Sequence, residues 1–185
     1  MTARRTPHRF TVAEYDRMID LGILKEDARV ELIRGEIVAK MSIGDAHIAC
    51  VDRLNRLLVR AVSDDAIVSV QNPIRLADSE PEPDLVLKRP RQDFYGKPGP
   101  ADILLVIEVA DASLEDDREV KGPLYAENGI AEYWIVNLID RCLEVHRQPR
   151  PDGTYADVRT MRAREMVEVG TIPGVRVAVA DLIGQ

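Results

Sequence analysis

Apolar and polar positions change their period along the chain, and each change marks an element. Thr11-Val12-Ala13-Glu14 has the spacing of a capping box, so a first helix is expected from Val12 to about Leu21, ended by Gly22. In RVELIRGEIVAKM two short apolar runs flank Arg34-Gly35, which predicts a tight β-hairpin over Arg29 to Met41. Alternation puts Glu31 on the face of Ile33, with Val30 and Leu32 on the other. After a loop over Ser42 to Asp45, the apolar positions Cys50, Val51, Leu54, Leu57, Leu58 and Ala61 recur at helical spacing, and a longer helix is expected from about Ala46 to Val62. Ala66 to Val70 is a strand candidate. Gln71 to Leu76 reads as a loop or strand, and Asp78 to Pro83 as a link.

Two runs of buried-strand type follow, Pro81 to Leu87 (PEPDLVL) and Ile103 to Ala110 (ILLVIEVA), separated by a Pro- and Gly-containing charged loop from Lys88 to Pro100. Ser113-Leu114-Glu115-Asp116 supplies an N-cap and an acidic first turn for a helix from Leu114 to about Glu127, closed by Asn128-Gly129. Ala131 to Leu138 is a further strand, and Arg141 to Arg147 its hairpin partner. A turn over Pro149 to Gly153 and strands at Tyr155 to Thr160, Met166 to Val169 and Val175 to Val179 make a β-rich end. This order implies an α/β fold, a mixed central sheet flanked by helices, in one domain over residues 1–185.

Hydrophobic content of 45% and charged content of 31% fit a soluble globular protein. Neither a membrane span nor the apolar stretch of a signal peptide is legible, and Cys50 and Cys142 form no metal-type or redox pair, so a cytoplasmic location is expected. The net charge of −7 argues against a protein held to nucleic acid by bulk electrostatics alone. It leaves room for an enzyme that draws nucleic acid through a bound divalent ion and a local basic patch.

Each buried-type strand carries one carboxylate that a core strand does not need: Asp84 near the start of the first, Glu108 near the end of the second. They are two unrelated accidents or two parts of one site. On neighbouring strands they meet at one end of the sheet, Glu108 sharing a face with Leu104 and Val106, Asp84 with Val86. Two carboxylates that close together share a proton or hold a hard cation, and Mg²⁺, which takes few carboxylates and keeps several waters, suits them best. On the following helix Leu114, Asp117, Lys121, Leu124 and Tyr125 share a face, which points Lys121 at the carboxylate-bearing strand. The bland alternative is an Asp117–Lys121 surface pair. His47 reads first as a partly buried residue hydrogen-bonded near a helix end, and second as the rim of a site. Lys88, Arg89, Arg91 and Lys97 read as a solvated loop, or as the phosphate contacts of an acidic chain.

The succession PEPDLVL, ILLVIEVADAS, Asp117 to Lys121 and YAENGIAEYWIVN, preceded by ELIRGEIVAKMS and His47, resembles the Uma two family of restriction-endonuclease-like proteins, within the PD-(D/E)XK nuclease superfamily. The resemblance runs from about Phe10 to Arg147. It implies a restriction-endonuclease-like mixed sheet flanked by helices, with an N-terminal helix plus β-hairpin and a β-rich C-terminal extension. It also implies Mg²⁺-dependent hydrolysis of phosphodiester bonds in DNA, Mn²⁺ substituting. By it Asp84 and Glu108 are metal-binding acids, Lys121 the catalytic lysine and Glu31 an accessory acid; His47 follows the matching opening segment and is accessory on the second of its two readings. The superfamily places lysine two residues after the second acid; here that position is Ala110, and Lys121 takes the role from the next helix. The alternative is an inactive nuclease-fold module that binds DNA or protein. A homodimer is expected, since cutting both strands needs two sites, and the segment after Arg147 is the candidate interface.

Overall fold

The computed structural model describes residues 6–25, 27–91 and 96–184. Helix α1 (Val12–Asp20) begins with the expected capping box: Thr11 Oγ1 accepts from the Glu14 amide, and the Glu14 carboxylate accepts from the Thr11 amide. Strands β1 (Val30–Ile33) and β2 (Glu36–Ala39) form the hairpin, with Arg34 at φ 50° and Gly35 at φ 76°. Positive φ at both turn residues is what a two-residue hairpin loop demands. Gly35 is required twice over, because a Cβ there would meet Arg9 Cβ at 2.8 Å and Phe10 O at 2.9 Å.

Helix α2 (Asp45–Val62) leads to β3 (Ile67–Val70), β4 (Leu85–Lys88) and β5 (Ile103–Ala110). These continue through β6 (Glu132–Asn137), β7 (Cys142–Pro149) and β8 (Tyr155–Met161) as one six-stranded sheet in sequence order. Every neighbouring pair is antiparallel except β5–β6, which needs a helical crossover. β9 (Met166–Glu168) and β10 (Arg176–Ala178) pair separately, and the chain then enters helix α5 (Val179–Ile183).

Three expectations change. Strand β4 starts only at Leu85: Pro81 and Pro83 have no N–H to give a ladder, so Pro81 to Asp84 approaches the sheet as irregular chain. The crossover is not one α-helix. It consists of α3 (Leu114–Asp116), a π-helical turn (Asp117–Lys121) and α4 (Gly122–Glu127), with the Gly122 amide donating to Asp117 O five residues back. Pro123 is the cause, since its ring has no N–H and crowds the carbonyl of Glu119 in a regular helix. Finally, α5 is a five-residue helix where only a strand end is expected, too short for its period to show.

The sheet is covered on both faces. On one, α2, β9, β10 and α5 pack over Leu85, Leu87, Leu105, Ile107, Val109 and Trp134. On the other, Leu124, Tyr125 and Ile130 from the crossover, with Ile33 of the hairpin, pack over Val86, Val106, Ala110 and Tyr133. In the segment after Arg147, Val167, Val169, Val177 and Leu182 are therefore occupied inside the chain, while Val158 and Met166 are exposed. Glu132, 1% exposed, ties that segment down, accepting from Trp134 Nε1 at 2.8 Å, Arg147 Nε at 2.8 Å and the Thr171 amide at 3.3 Å. No helix among the described residues is long and apolar enough to cross a membrane.

Candidate active site

Register brings the two acids together. Leu85 lies opposite Ile107 in the antiparallel β4–β5 pair, so Asp84, one residue before β4, falls opposite Glu108. The Asp84 amide donates to Glu108 Oε2 at 3.3 Å. Simple alternation sets Glu108 with both Leu104 and Val106, but a bulge beside Leu87 and Lys88 breaks it. Leu104 packs with Leu105 on the α2 side, while Val106 stays on the side of the crossover helices with Glu108.

Each acid is held differently. Asp84 Oδ2 accepts from the Val109 amide at 2.8 Å and bonds His47 Nε2 at 3.0 Å. Burial works to raise the Asp84 carboxyl, yet the His47 bond and the Val109 amide outweigh it and keep it below its ordinary value. Glu108 is 3% exposed, and its Oε1 accepts from Lys121 Nζ at 3.0 Å and from Tyr125 OH at 2.8 Å. Burial pushes the Glu108 carboxyl up to about 8; Lys121 opposes this, and Asp117, Asp84 and Glu31 reinforce it.

Lys121 stands among three carboxylates, 3.0 Å from Glu108 and 3.8 Å from both Glu31 and Asp117. Burial alone lowers a lysine, but Glu108, Glu31 and Asp117 together hold its ammonium above the ordinary range. The Asp117–Lys121 pair is thus no surface pair. Asp117 is 1% exposed and accepts from Ser113 Oγ at 2.6 Å; burial pushes it up to about 6 against the pull of Lys121 and Ser113. Glu31 is held by the Glu82 amide at 2.9 Å, which fixes the hairpin beside the approach to β4.

These groups line one cleft of about 260 Å³ between the hairpin, the loop before α2, the end of β5 and the start of the crossover. Glu31, His47, Asp84, Glu108 and Lys121, all expected from the sequence, are gathered there. His47 is buried and belongs to the site through Asp84, more than to its own helix end. Asp117 also lines the cleft and Tyr125 stands behind Glu108, where pattern reading makes them an ion-pair partner and part of an apolar face. The signal for them was the series Asp117, Lys121, Tyr125, four apart and polar-tipped at each step.

Lys88, Arg89, Arg91 and Lys97 do not line the cleft. Lys88 is at the far end of β4, four residues from Asp84, about 13 Å along a strand. Arg89 donates to Ala101 O at 3.2 Å, Arg91 pairs with Asp102 at 2.9 Å, and Lys97 pairs with Asp16 at 2.7 Å and with Glu80. The cleft's own cations are Arg29, Lys40 and Lys121, Lys40 being paired with Glu82 at 2.7 Å.

The donor set fits a hard divalent cation. Seven carboxylates, Glu31, Glu82, Asp84, Glu108, Asp111, Asp116 and Asp117, line the cleft against Arg29, Lys40 and Lys121, and oxygen donors in excess of cations favour Mg²⁺ or Mn²⁺ over softer metals. Among the described residues no group of three or more His, Cys, Asp and Glu side chains is arranged to hold a metal. Asp84 and Glu108 are a pair of oxygen donors, of the kind that suits an ion that keeps most of its waters.

Comparison with known proteins adds to this geometry. Residues 12–180 match the model of the Uma2 family, described as "putative restriction endonuclease". Four chains of solved structure are similar. One is the crystal structure of a protein from Anabaena variabilis ATCC 29413, described as a "putative nuclease belonging to DUF820". It superposes with a TM-score of 0.74 at 16% identity, over 95% of this chain and 98% of that one, a likeness of fold. No curated protein matches the sequence.

Proposed function

The chain belongs to the Uma2 family, and from that premise we propose that it is a divalent-metal-dependent nuclease hydrolysing phosphodiester bonds in DNA. The observation that carries this reading is the facing of Asp84 and Glu108 across the β4–β5 register with Lys121 bonded to the second acid. Asp84 and Glu108 would hold Mg²⁺ or Mn²⁺, which when bound supplies Lewis-acid polarisation of the scissile phosphate and a more acidic water. The protein's own part follows from the charges. Lys121 stays protonated, so it serves as a charged donor to the attacking water or to the phosphate oxygens, and not as a base. Glu31 and Asp117 keep that ammonium in place, and Tyr125 fixes the acid it leans on.

DNA is the proposed substrate and Mg²⁺ the proposed ion. Arg29 and Lys40 stand in the cleft to meet phosphates, and Lys88, Arg89, Arg91 and Lys97 are assigned to DNA beyond it. Two chains are proposed to act together, because a duplex offers two scissile strands. The test is cleavage of supercoiled and linear DNA by purified protein with Mg²⁺ or Mn²⁺. Parent protein is expected to cut, Asp84→Ala and Glu108→Ala are not. Equal cleavage by all three would identify a contaminant and sink the proposal.

A further inference from the structure

The two acids share an arrangement. Each has one carboxylate oxygen taken by two donors. Asp84 Oδ2 is bonded by the Val109 amide and His47 Nε2, and Glu108 Oε1 by Lys121 Nζ and Tyr125 OH. A carboxylate oxygen that already accepts an amide proton can only accept again, so His47 Nε2 donates. Asp84 Oδ1 takes no hydrogen bond among the described residues, and Glu108 Oε2 takes the Asp84 amide at 3.3 Å.

Two of the four donors carry a polar atom that packing does not explain. His47 is 7% exposed, yet its Nδ1 is buried with no hydrogen-bond partner. An orphaned buried nitrogen destabilises a fold, and leucine would fill the same space without it. Among the described residues the bond to Asp84 is the one polar contact of the ring to set against that cost. Tyr125 is wholly buried, its ring set edge-on to Tyr133 at 5.0 Å, and Tyr133 OH is itself bonded to Asp117 O at 3.0 Å. That hydroxyl sits on a rigid ring, where Lys121 has a flexible stem.

We infer that His47 and Tyr125 are a matched pair of positioning residues, each locking one oxygen of its acid so that Asp84 Oδ1 and Glu108 Oε2 face a divalent ion. The inference rests on the metal-site reading above. A carboxylate on a strand end turns readily about its last torsion, and a fixed donor on one oxygen removes that freedom before the ion arrives.

The test uses His47→Leu, His47→Gln and Tyr125→Phe in the full chain. Mn²⁺ affinity is read by titration calorimetry and the thermal midpoint in EDTA. His47→Leu is expected to keep or raise the midpoint while weakening Mn²⁺ about 10- to 100-fold. His47→Gln, which restores a donor, returns the affinity to within a few-fold of the parent. Tyr125→Phe weakens Mn²⁺ about 10-fold. Unchanged affinity in His47→Leu overturns the inference, as does a lowered midpoint with an affinity loss that glutamine does not repair, the mark of a structural role. Absence of Mn²⁺ uptake by the parent overturns both this inference and the metal site. Uptake by the parent that is indifferent to these variants overturns the inference alone.

Discussion

Replacing Glu108 by glutamine removes a charge problem and keeps the shape. Burial pushes the Glu108 carboxyl from 4.5 up to about 8, with Lys121 opposing and Asp117, Asp84 and Glu31 adding. Between those values the folded chain holds a proton there that the unfolded chain has released, so this residue's contribution to stability falls as pH rises. At about pH 7 the penalty is about 3 kcal/mol, the distance from 4.5 to 7 at about 1.36 kcal/mol per pH unit. Glutamine at 108 keeps an oxygen for Lys121 and Tyr125 but loses the acceptor of the Asp84 amide, a cost of about 1 kcal/mol. The net gain for Glu108→Gln is about 2 kcal/mol at about pH 7, near zero at about pH 5 and about 3 kcal/mol at about pH 8, where the buried carboxyl is half ionised. Urea unfolding of parent and variant in EDTA at the three pH values measures it. Saturating Mn²⁺ at about 100 times its dissociation constant should stabilise the parent alone by about 2.7 kcal/mol and cancel the difference near neutrality. A difference independent of pH, or a variant less stable than the parent at about pH 8, would refute the electrostatic account.

The remaining predictions address other parts of the same network. Lys121→Met should lower kcat for DNA cleavage at least about 100-fold while Mn²⁺ binding, by calorimetry, is not weakened; a loss confined to metal affinity would remove the lysine's proposed role. Mn²⁺ should bind more tightly as pH rises from about 6 to about 8 and expel protons, because the Glu108 carboxyl, raised to about 8, must ionise to accept it. Heats compared in two buffers of different ionisation enthalpy count those protons, and equal heats would contradict the assignment. Arg147→Ala should cost about 3 kcal/mol in urea unfolding, since it strips the buried Glu132 of its cation and loosens the C-terminal segment; a cost below about 1 kcal/mol would show the tie to be dispensable.

How legible the chain is depends on the range of the interactions involved. The capping box at Thr11, the Arg34-Gly35 hairpin, the period of α2 and the continuous apolar runs of β5 and β6 are local properties, and each lies where the sequence places it. The family is likewise written in short motifs, and so are Asp84 and Glu108, because an ionisable residue in an apolar run is conspicuous without knowledge of its neighbours. Lys121 was legible from helical spacing alone. Other features required the fold. The bulge that sends Leu104 to the opposite face from Val106 is set by the pairing of β4 with β5, and no alternation rule within β5 can report it. The bond from His47 to Asp84 joins residues 37 apart, and the segment after Arg147 packs under α2 through contacts across more than a hundred positions. Local sequence determined which side chains carry charge and on which elements. Only the tertiary structure, by removing water from those elements as they packed, decided which charges meet and at what electrostatic cost.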